Sequence, residues 1–250
     1  MARASRLRSG SLRRRDARDT TKQRVHVTIK SVTYESFPAL DAIPGIRAAF
    51  TGRVPGLDVC TEREEALQRL EPLHVQAAAE AGFAGMTFAT AEQIHGNLVA
   101  AISRDSLFPV PGADGLITTT PGICLGIYVA DCAAIYLVDR KSRGVALVHS
   151  GKKGTELGIG SIAAGALCAA TGAAPSDLVA QISPCIRPPH YDVDFAAEIV
   201  RQLQAFGIDD VVDCGTCTAS RPDLYYSYRR EKGRTGRMLA LLALDPGNPL

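Results

Sequence analysis

The sequence predicts an α+β fold in which mixed β-sheets are flanked by helices, and three observations carry that expectation. Short runs rich in Val, Ile, Leu and Thr crowd the middle of the chain, punctuated by Gly, Pro and Asp. These runs follow one another without the strict β-α alternation of a doubly wound sheet. Helical stretches are few, and they fall near residues 61–81, 155–170 and 195–206.

Residues 25–34 and 46–50 read as the first strands. Thr61-Glu62-Arg63-Glu64 then forms a capping box, in which the Thr hydroxyl and the Glu carboxylate each satisfy an orphan backbone N–H. Apolar positions recur at helical spacing to about Ala81, where Gly82 offers a stop. Residues 87–95, 97–102, 116–119, 123–129, 132–138 and 144–149 read as strands. A helix over 155–170 is capped by Thr155 and ended near Gly172. A strand at 178–183, a helix at 195–206 and a last strand at 237–244 complete the order. No repeat or linker interrupts the chain after residue 24, so 25–250 reads as one domain.

Composition narrows the function classes. Apolar residues make up 46% and charged residues 22%, an ordinary globular balance. The longest apolar run, 123–138, is interrupted by Asp131, which argues against a membrane span. The net charge of +2 is uneven: nine of 28 basic and two of 26 acidic residues fall in the first 24, leaving −5 on the rest. That tail has almost no apolar residues and is expected to be disordered. It lacks the apolar stretch of a secretory signal. Seven irregularly spaced cysteines argue against a disulfide framework and for a reduced, cytoplasmic compartment.

Some of those thiols are therefore free for chemistry. The runs at 132–138 and 144–149 are separated by a polar turn of hairpin length, and a hairpin centred there sets Cys132 opposite His149. Opposed β-carbons lie roughly 4.5–5.5 Å apart, close enough for one ion to bind both side chains. A slip of one residue would put them on opposite faces. Cys thiolate and His imidazole are ligands Zn²⁺ prefers, and three protein ligands with one open position mark a catalytic zinc. His95 is the best third ligand, because Gln93-Ile94-His95-Gly96 ends one strand and turns into the next. Taken singly, each of these residues also reads as a buried thiol or a solvated imidazole.

Further groups surround that trio. Asp114 and Asp131 sit at element ends, where each reads as an acceptor for a ligating His, as a base, or as a local turn cap. Lys152 and Lys153 precede a helix start, which suits an anion such as phosphate or a plain solvated cap. Cys214 and Cys217 form a lone CxxC, a weak signal, and His74 and His190 have no supporting context.

Six motifs occur in fixed order: Gln93-Ile94-His95-Gly96, Ala113–Thr118, Ala130-Asp131-Cys132, the segment 149–155, Ser183-Pro184-Cys185-Ile186 and Tyr226-Ser227-Tyr228-Arg229-Arg230. Together they resemble the YfiH family, also called laccase-domain or polyphenol-oxidase-like, over nearly all of 46–244. The resemblance implies a YfiH/CNF1-like single domain and a catalytic zinc on His95, Cys132 and His149. It also implies substrate-binding roles for Arg53, Asp114, Lys152, Lys153, Arg229 and Arg230, with Cys185 lining the pocket or inert. Asp131 joins the ligands as a catalytic residue. Where the family commonly reads His-Ala-Gly-Trp-Arg-Gly, this chain has Ser150 and the pair Lys152-Lys153, and it has no Trp at all. The positive charge is kept and that aromatic surface is lost.

The activity implied is a zinc-dependent purine nucleoside phosphorylase with adenosine deaminase and methylthioadenosine phosphorylase activity. Its partners would be a small nucleoside and phosphate, with no nucleic acid and no membrane. Two alternatives stand beside it: a Cys-dependent amidase editing peptidoglycan precursors, and a Cu²⁺-dependent polyphenol oxidase.

Overall fold

Both faces of the central strands carry apolar residues, and the chain buries both by stacking two sheets between helices. The structure, a computed structural model, describes residues 32–247. The basic tail 1–24 and most of the strand expected at 25–34 lie outside them. Along the first half run β1 (Tyr34–Glu35), α1 (Pro38–Asp41), β2 (Ile46–Thr51), α2 (Arg63–Ala78), β3 (Thr87–Thr90), β4 (Leu98–Ala101), β5 (Ala113–Thr118) and β6 (Ile123–Val129). The second half holds β7 (Ala133–Asp139), β8 (Val145–Ser150), α3 (Lys152–Glu156), α4 (Ile159–Thr171), β9 (Leu178–Ile182), α5 (Phe195–Phe206), β10 (Asp210–Asp213) and β11 (Met238–Leu244). No described helix is long and apolar enough to cross a membrane.

One sheet has the order β1-β2-β11-β6-β3 and the other β10-β9-β7-β8-β5-β4. Both are mixed: β3 runs parallel to β6, β4 to β5 and β10 to β9, and the other pairs are antiparallel. Side chains alternate along each strand, so one strand feeds two cores. Tyr136 and Val138 of β7 join Phe50, Leu125 and Leu242 in a cluster drawn from both sheets. Ile135 and Leu137 face the other way, toward Ala163 and Leu167 of α4 and Ile199 and Leu203 of α5. In β11, Ala240 and Leu242 enter the first cluster, while Leu239 and Leu241 pack with Phe83 and Cys124. Strands covered on both sides read as continuous apolar runs. Each fully buried Leu or Ile contributes roughly 1.5–3 kcal/mol. The buried Tyr136 hydroxyl donates to Ala49 O at 2.8 Å and ties the two sheets together.

Local expectations fail where backbone geometry intervenes. The strand expected over 87–95 ends at Thr90, because Gln93 and His95 both adopt φ of 63°, which no strand accommodates. Thr61 does not cap α2. Glu62 holds the N-cap position without a side-chain bond, and the Thr61 hydroxyl meets the Glu65 carboxylate instead. The helix expected over 155–170 is two helices, since α3 starts at Lys152 and Gly158, at φ 70°, breaks the run. Gly82 does end the α2 segment, at φ 88°.

The hairpin register differs from expectation by two residues. His149 pairs with Ala134 and Ser150 with Ala133, so Cys132 lies beside Gly151 rather than opposite His149. Asp139 explains the shift. It belongs to β7 and not to the turn, and its buried carboxylate receives the Lys141 and Arg143 N–H groups and the Arg143 guanidinium. A shift of two preserves parity, so Cys132 and His149 stay on one face.

Candidate metal centre

Asp114 organises the site from within β5. It is fully buried, and its Oδ2 accepts the N–H groups of Ile94 (3.2 Å) and Gly96 (2.7 Å) while Oδ1 accepts that of His95 (2.9 Å). Three successive amides thus wrap one carboxylate, which holds the 93–96 turn in its left-handed conformation. Gln93 secures the other side, its side chain donating to Tyr128 O (2.6 Å) and accepting from Tyr128 N (2.9 Å). The result is a rigid turn that presents the exposed His95 imidazole toward β7 and β8.

The same carboxylate reaches the second imidazole. His149 Nδ1 lies 2.8 Å from Asp114 Oδ1 and donates to it, which leaves Nε2 as the free nitrogen. Cys132 follows Asp131, whose φ of 84° turns the chain at the mouth of β7. Cys132 Sγ lies 4.0 Å from His95 Nε2, and the three ligand atoms all fall within 4.8 Å of one another. Gly151 makes the room: a β-carbon there would sit 2.6 Å from the sulfur. Among the described residues this is the single cluster of three such side chains close enough to share an ion.

Electrostatics suit the donor set. Burial pushes the Cys132 thiol up, but the His149 and His95 imidazoles outweigh it and hold it at about 6. Burial pushes His149 down, but Asp114 and the Cys132 thiolate raise it to about 9. A thiolate and two imidazoles, one oriented by a buried carboxylate, match what Zn²⁺ requires, and metal binding would displace the His149 proton.

The trio lines a cavity of about 850 Å³. Arg63, Lys152, Arg229, Lys232 and Arg237 line it too, together with Tyr128, Tyr191, Tyr228 and Phe195. Lys152 stands 3.9 Å from Glu156. Among the described residues the other four cations pair with no carboxylate. Arg229 stacks on Tyr191 at 5.1 Å and Arg237 on Tyr228 at 5.8 Å.

The structure places several expected residues elsewhere. Arg53 pairs with Glu231 at 2.7 Å and covers the Tyr226 ring at 4.4 Å, outside the cavity. Asp114 is turned wholly onto backbone amides and His149, leaving no surface for a substrate. Cys185 is fully buried in the core beside α5, its thiol pushed up by burial. Lys153 is exposed but outside the lining, and Arg230 is drawn off to Ala219 O at 3.3 Å. Asp131 does line the cavity, yet its oxygens accept the Thr218 hydroxyl and the Arg229 N–H, both at 2.7 Å. Three tyrosines and Phe195 give the cavity aromatic surface although the chain has no Trp. Only Tyr228, inside a recognised motif, had a signal in the sequence; Arg63 and Lys232 had none.

A family model described as multi-copper polyphenol oxidoreductase laccase matches residues 51–199 and 190–245. The purine nucleoside phosphorylase YlmD of Geobacillus stearothermophilus is 30% identical over 191 residues, covering 60% of this chain and 70% of that protein. A purine nucleoside phosphorylase of Deinococcus radiodurans is 29% identical over 229 residues, covering 78% of this chain and 88% of that one. The crystal structure of the Geobacillus YlmD superposes with a TM-score of 0.69 at 26% identity, over 81% of this chain and 93% of that chain. The hypothetical protein YfiH of Bacillus licheniformis shares the fold, with a TM-score of 0.71 at 21% identity over 80% of this chain and 93% of its own.

Proposed function

Because the chain belongs to the multi-copper polyphenol oxidoreductase laccase family, we propose that it is a zinc-dependent purine nucleoside phosphorylase that also deaminates adenosine and cleaves methylthioadenosine. One observation carries this reading: the His95–Cys132–His149 cluster lines a cavity that also presents four aromatic rings and four cations that pair with no carboxylate among the described residues. The names of the two relatives above support the phosphorylase part.

His95, Cys132 and His149 would hold the zinc, which when bound would supply Lewis acidity for the chemistry. The protein's own groups do the rest. Asp114 keeps His149 in one tautomer and His95 in one orientation. Arg63, Arg229 and Lys232 offer the charge-assisted donors that phosphate needs, and Arg237, whose Nη1 donates to Thr235 O and Gly236 O, adds positive charge. Tyrosine faces suit stacking on a purine. Asp131 positions the Arg229 segment through its backbone amide. The test is incubation of zinc-loaded protein with adenosine, inosine or methylthioadenosine, with and without phosphate. Phosphate-dependent release of free base and conversion of adenosine to inosine support the reading; no product from any of the three sinks it.

A second reading has its own observation. Asp114, His149 and Cys132 form a chain of orienting carboxylate, imidazole and low-pKa thiol, the arrangement of a cysteine hydrolase acting on amides, such as those of peptidoglycan precursors. Chelation separates the two, because a thiol hydrolase retains activity without metal and loses it on alkylation. Copper chemistry fits less well, since a multi-copper site needs more ligand clusters than the one among the described residues.

A further inference from the structure

Arg237 puts a buried charge in the wall of the cavity at the candidate metal centre. The residue is only 8% exposed, and its Nη1 donates to Thr235 O and Gly236 O. Among the described residues no carboxylate pairs with it and Nε and Nη2 have no partner, yet neither nitrogen is sealed from solvent and the side chain lines the cavity. A buried arginine is rarely left unpaired, because an uncompensated charge in the interior is costly. Its neighbour sharpens the need: burial and then the like charge of Arg63 hold Arg237 below the usual arginine range, although both guanidinium groups stay charged. Arg63 is the first residue of α2 and lines the same cavity. The N-cap, Glu62, makes no side-chain bond to the helix, so the N–H groups of the first turn receive no cap from it. In a helix of 16 residues, those groups and the positive end of the helix dipole favour an anion. Glu64 and Glu65 of that turn lie outside the lining. Two carboxylates do line the cavity. Asp131 is taken up by the Thr218 hydroxyl and the Arg229 N–H, while Glu62 is exposed and forms no ion pair among the described residues.

We propose that this corner is a phosphate-ester subsite and that the cavity takes a nucleoside monophosphate, with Arg63 and Arg237 on its phosphate and Glu62 accepting from the sugar hydroxyls. A buried guanidinium, a second guanidinium and an uncapped helix start supply the donors an ester phosphate needs. The carboxylate beside them suits hydroxyl groups, which free phosphate at neutral pH does not offer in a sugar's arrangement. At about 850 Å³ the cavity lies near the upper end of the range for small-molecule sites, roughly 300–1,000 Å³, which leaves room for a nucleotide. Arg229, which stacks on Tyr191 rather than Tyr228, is left for inorganic phosphate. The nucleoside body of this ligand rests on the reading given above, whereas the anion subsite does not.

The probes are IMP, inosine and inorganic phosphate, titrated calorimetrically into zinc-loaded full-length protein. IMP should bind about tenfold or more tightly than inosine, and equimolar inorganic phosphate should not displace it. Arg63→Gln, at an exposed position, should bring the preference for IMP near unity. Equal affinities for IMP and inosine, or no binding of IMP, overturn the proposal. A preference that survives Arg63→Gln overturns it too, because the phosphate then sits on the metal or on Arg229. Displacement by equimolar inorganic phosphate assigns the corner to free phosphate instead. A crystal of the IMP complex decides without any variant: the phosphate lies against Arg63 and Arg237, or the proposal fails. Phosphorolysis of inosine by the same sample keeps the two readings apart. Turnover without a preference for IMP overturns this inference alone, and a preference for IMP without turnover overturns only the phosphorylase reading.

Discussion

Replacing Asp114 by Asn puts the organisation of the candidate metal centre to a quantitative test. The carboxylate accepts four hydrogen bonds, two at each oxygen. An amide offers one oxygen and one NH₂ group, so in either orientation two of the four donors meet another donor. Each buried donor left without an acceptor costs about 1–3 kcal/mol, which bounds the loss at about 2–6 kcal/mol. The exposed 94–96 turn can recover part of this from water, so the expected cost is near 3 kcal/mol, in the lower half of that range. For a chain of this size each kcal/mol lowers Tm by roughly 2–4 °C, giving a fall of about 6–12 °C. Replacing the carboxylate that orients His149 by a neutral amide should also weaken zinc binding by about 10–100-fold. Burial pushes Asp114 up, but the His149 and backbone donors outweigh it and hold it below the usual carboxylate range. Its contribution is therefore fully present above the unfolded pKa and is lost as pH falls through the folded value. The gap between wild type and variant should be complete at neutral pH and close in acid. Thermal unfolding of metal-free protein and competition against a chromogenic chelator measure the two effects. An unchanged Tm together with an unchanged zinc affinity would refute the reasoning.

Three further predictions follow from the same geometry. Gly151→Ala places a methyl group where the Cys132 sulfur now sits, so zinc content by mass spectrometry should collapse while the far-UV spectrum stays native; full zinc occupancy would contradict the packing. Arg229→Gln removes a cation from the cavity wall and should raise the KM for phosphate about tenfold with little change in Tm; an unaltered KM would take phosphate away from this wall. In metal-free protein, alkylation of Cys132 should have its midpoint near pH 6, against about 8.5 for an ordinary thiol, as read by peptide mass spectrometry; an ordinary midpoint would show that the imidazoles do not hold a thiolate.

The fold was legible in the sequence wherever both faces of a strand are buried. β6, β7, β8 and β11 stand out as apolar runs because the sheet stack covers them on each side. β10 was not legible: its residues, Asp-Val-Val-Asp, form an edge strand that alternates exposed and half-buried positions and buries none. The helix boundaries failed for a different reason. Whether Gly158 ends a helix or merely sits in one depends on its φ of 70°, and glycine identity alone permits either. Likewise, nothing in Gln93 or His95 announces the left-handed backbone that cuts β3 short, because that conformation is imposed by Asp114, 19 residues beyond His95.

The site divides along the same line. Cys132, His149 and His95 could be named because the chemistry of their side chains is rare and two of them flank one short turn, so only parity mattered. A register error of two residues left that conclusion intact, where an error of one would have destroyed it. The cationic wall of the cavity has no such protection. Arg53, Arg230 and Lys153 had the right charge and the right motif, yet local partners or orientation take them out of the cavity. Arg63 and Lys232, which do line it, come from the start of α2 and a loop near the far end of the chain, and no spacing rule connects them. Charge is the commonest surface property, so a motif can say that a cation is present but only packing decides which way it faces. The meeting of three ligand-type side chains is therefore the more transferable inference in this chain, and the cationic wall is where variants such as Arg229→Gln carry the most information.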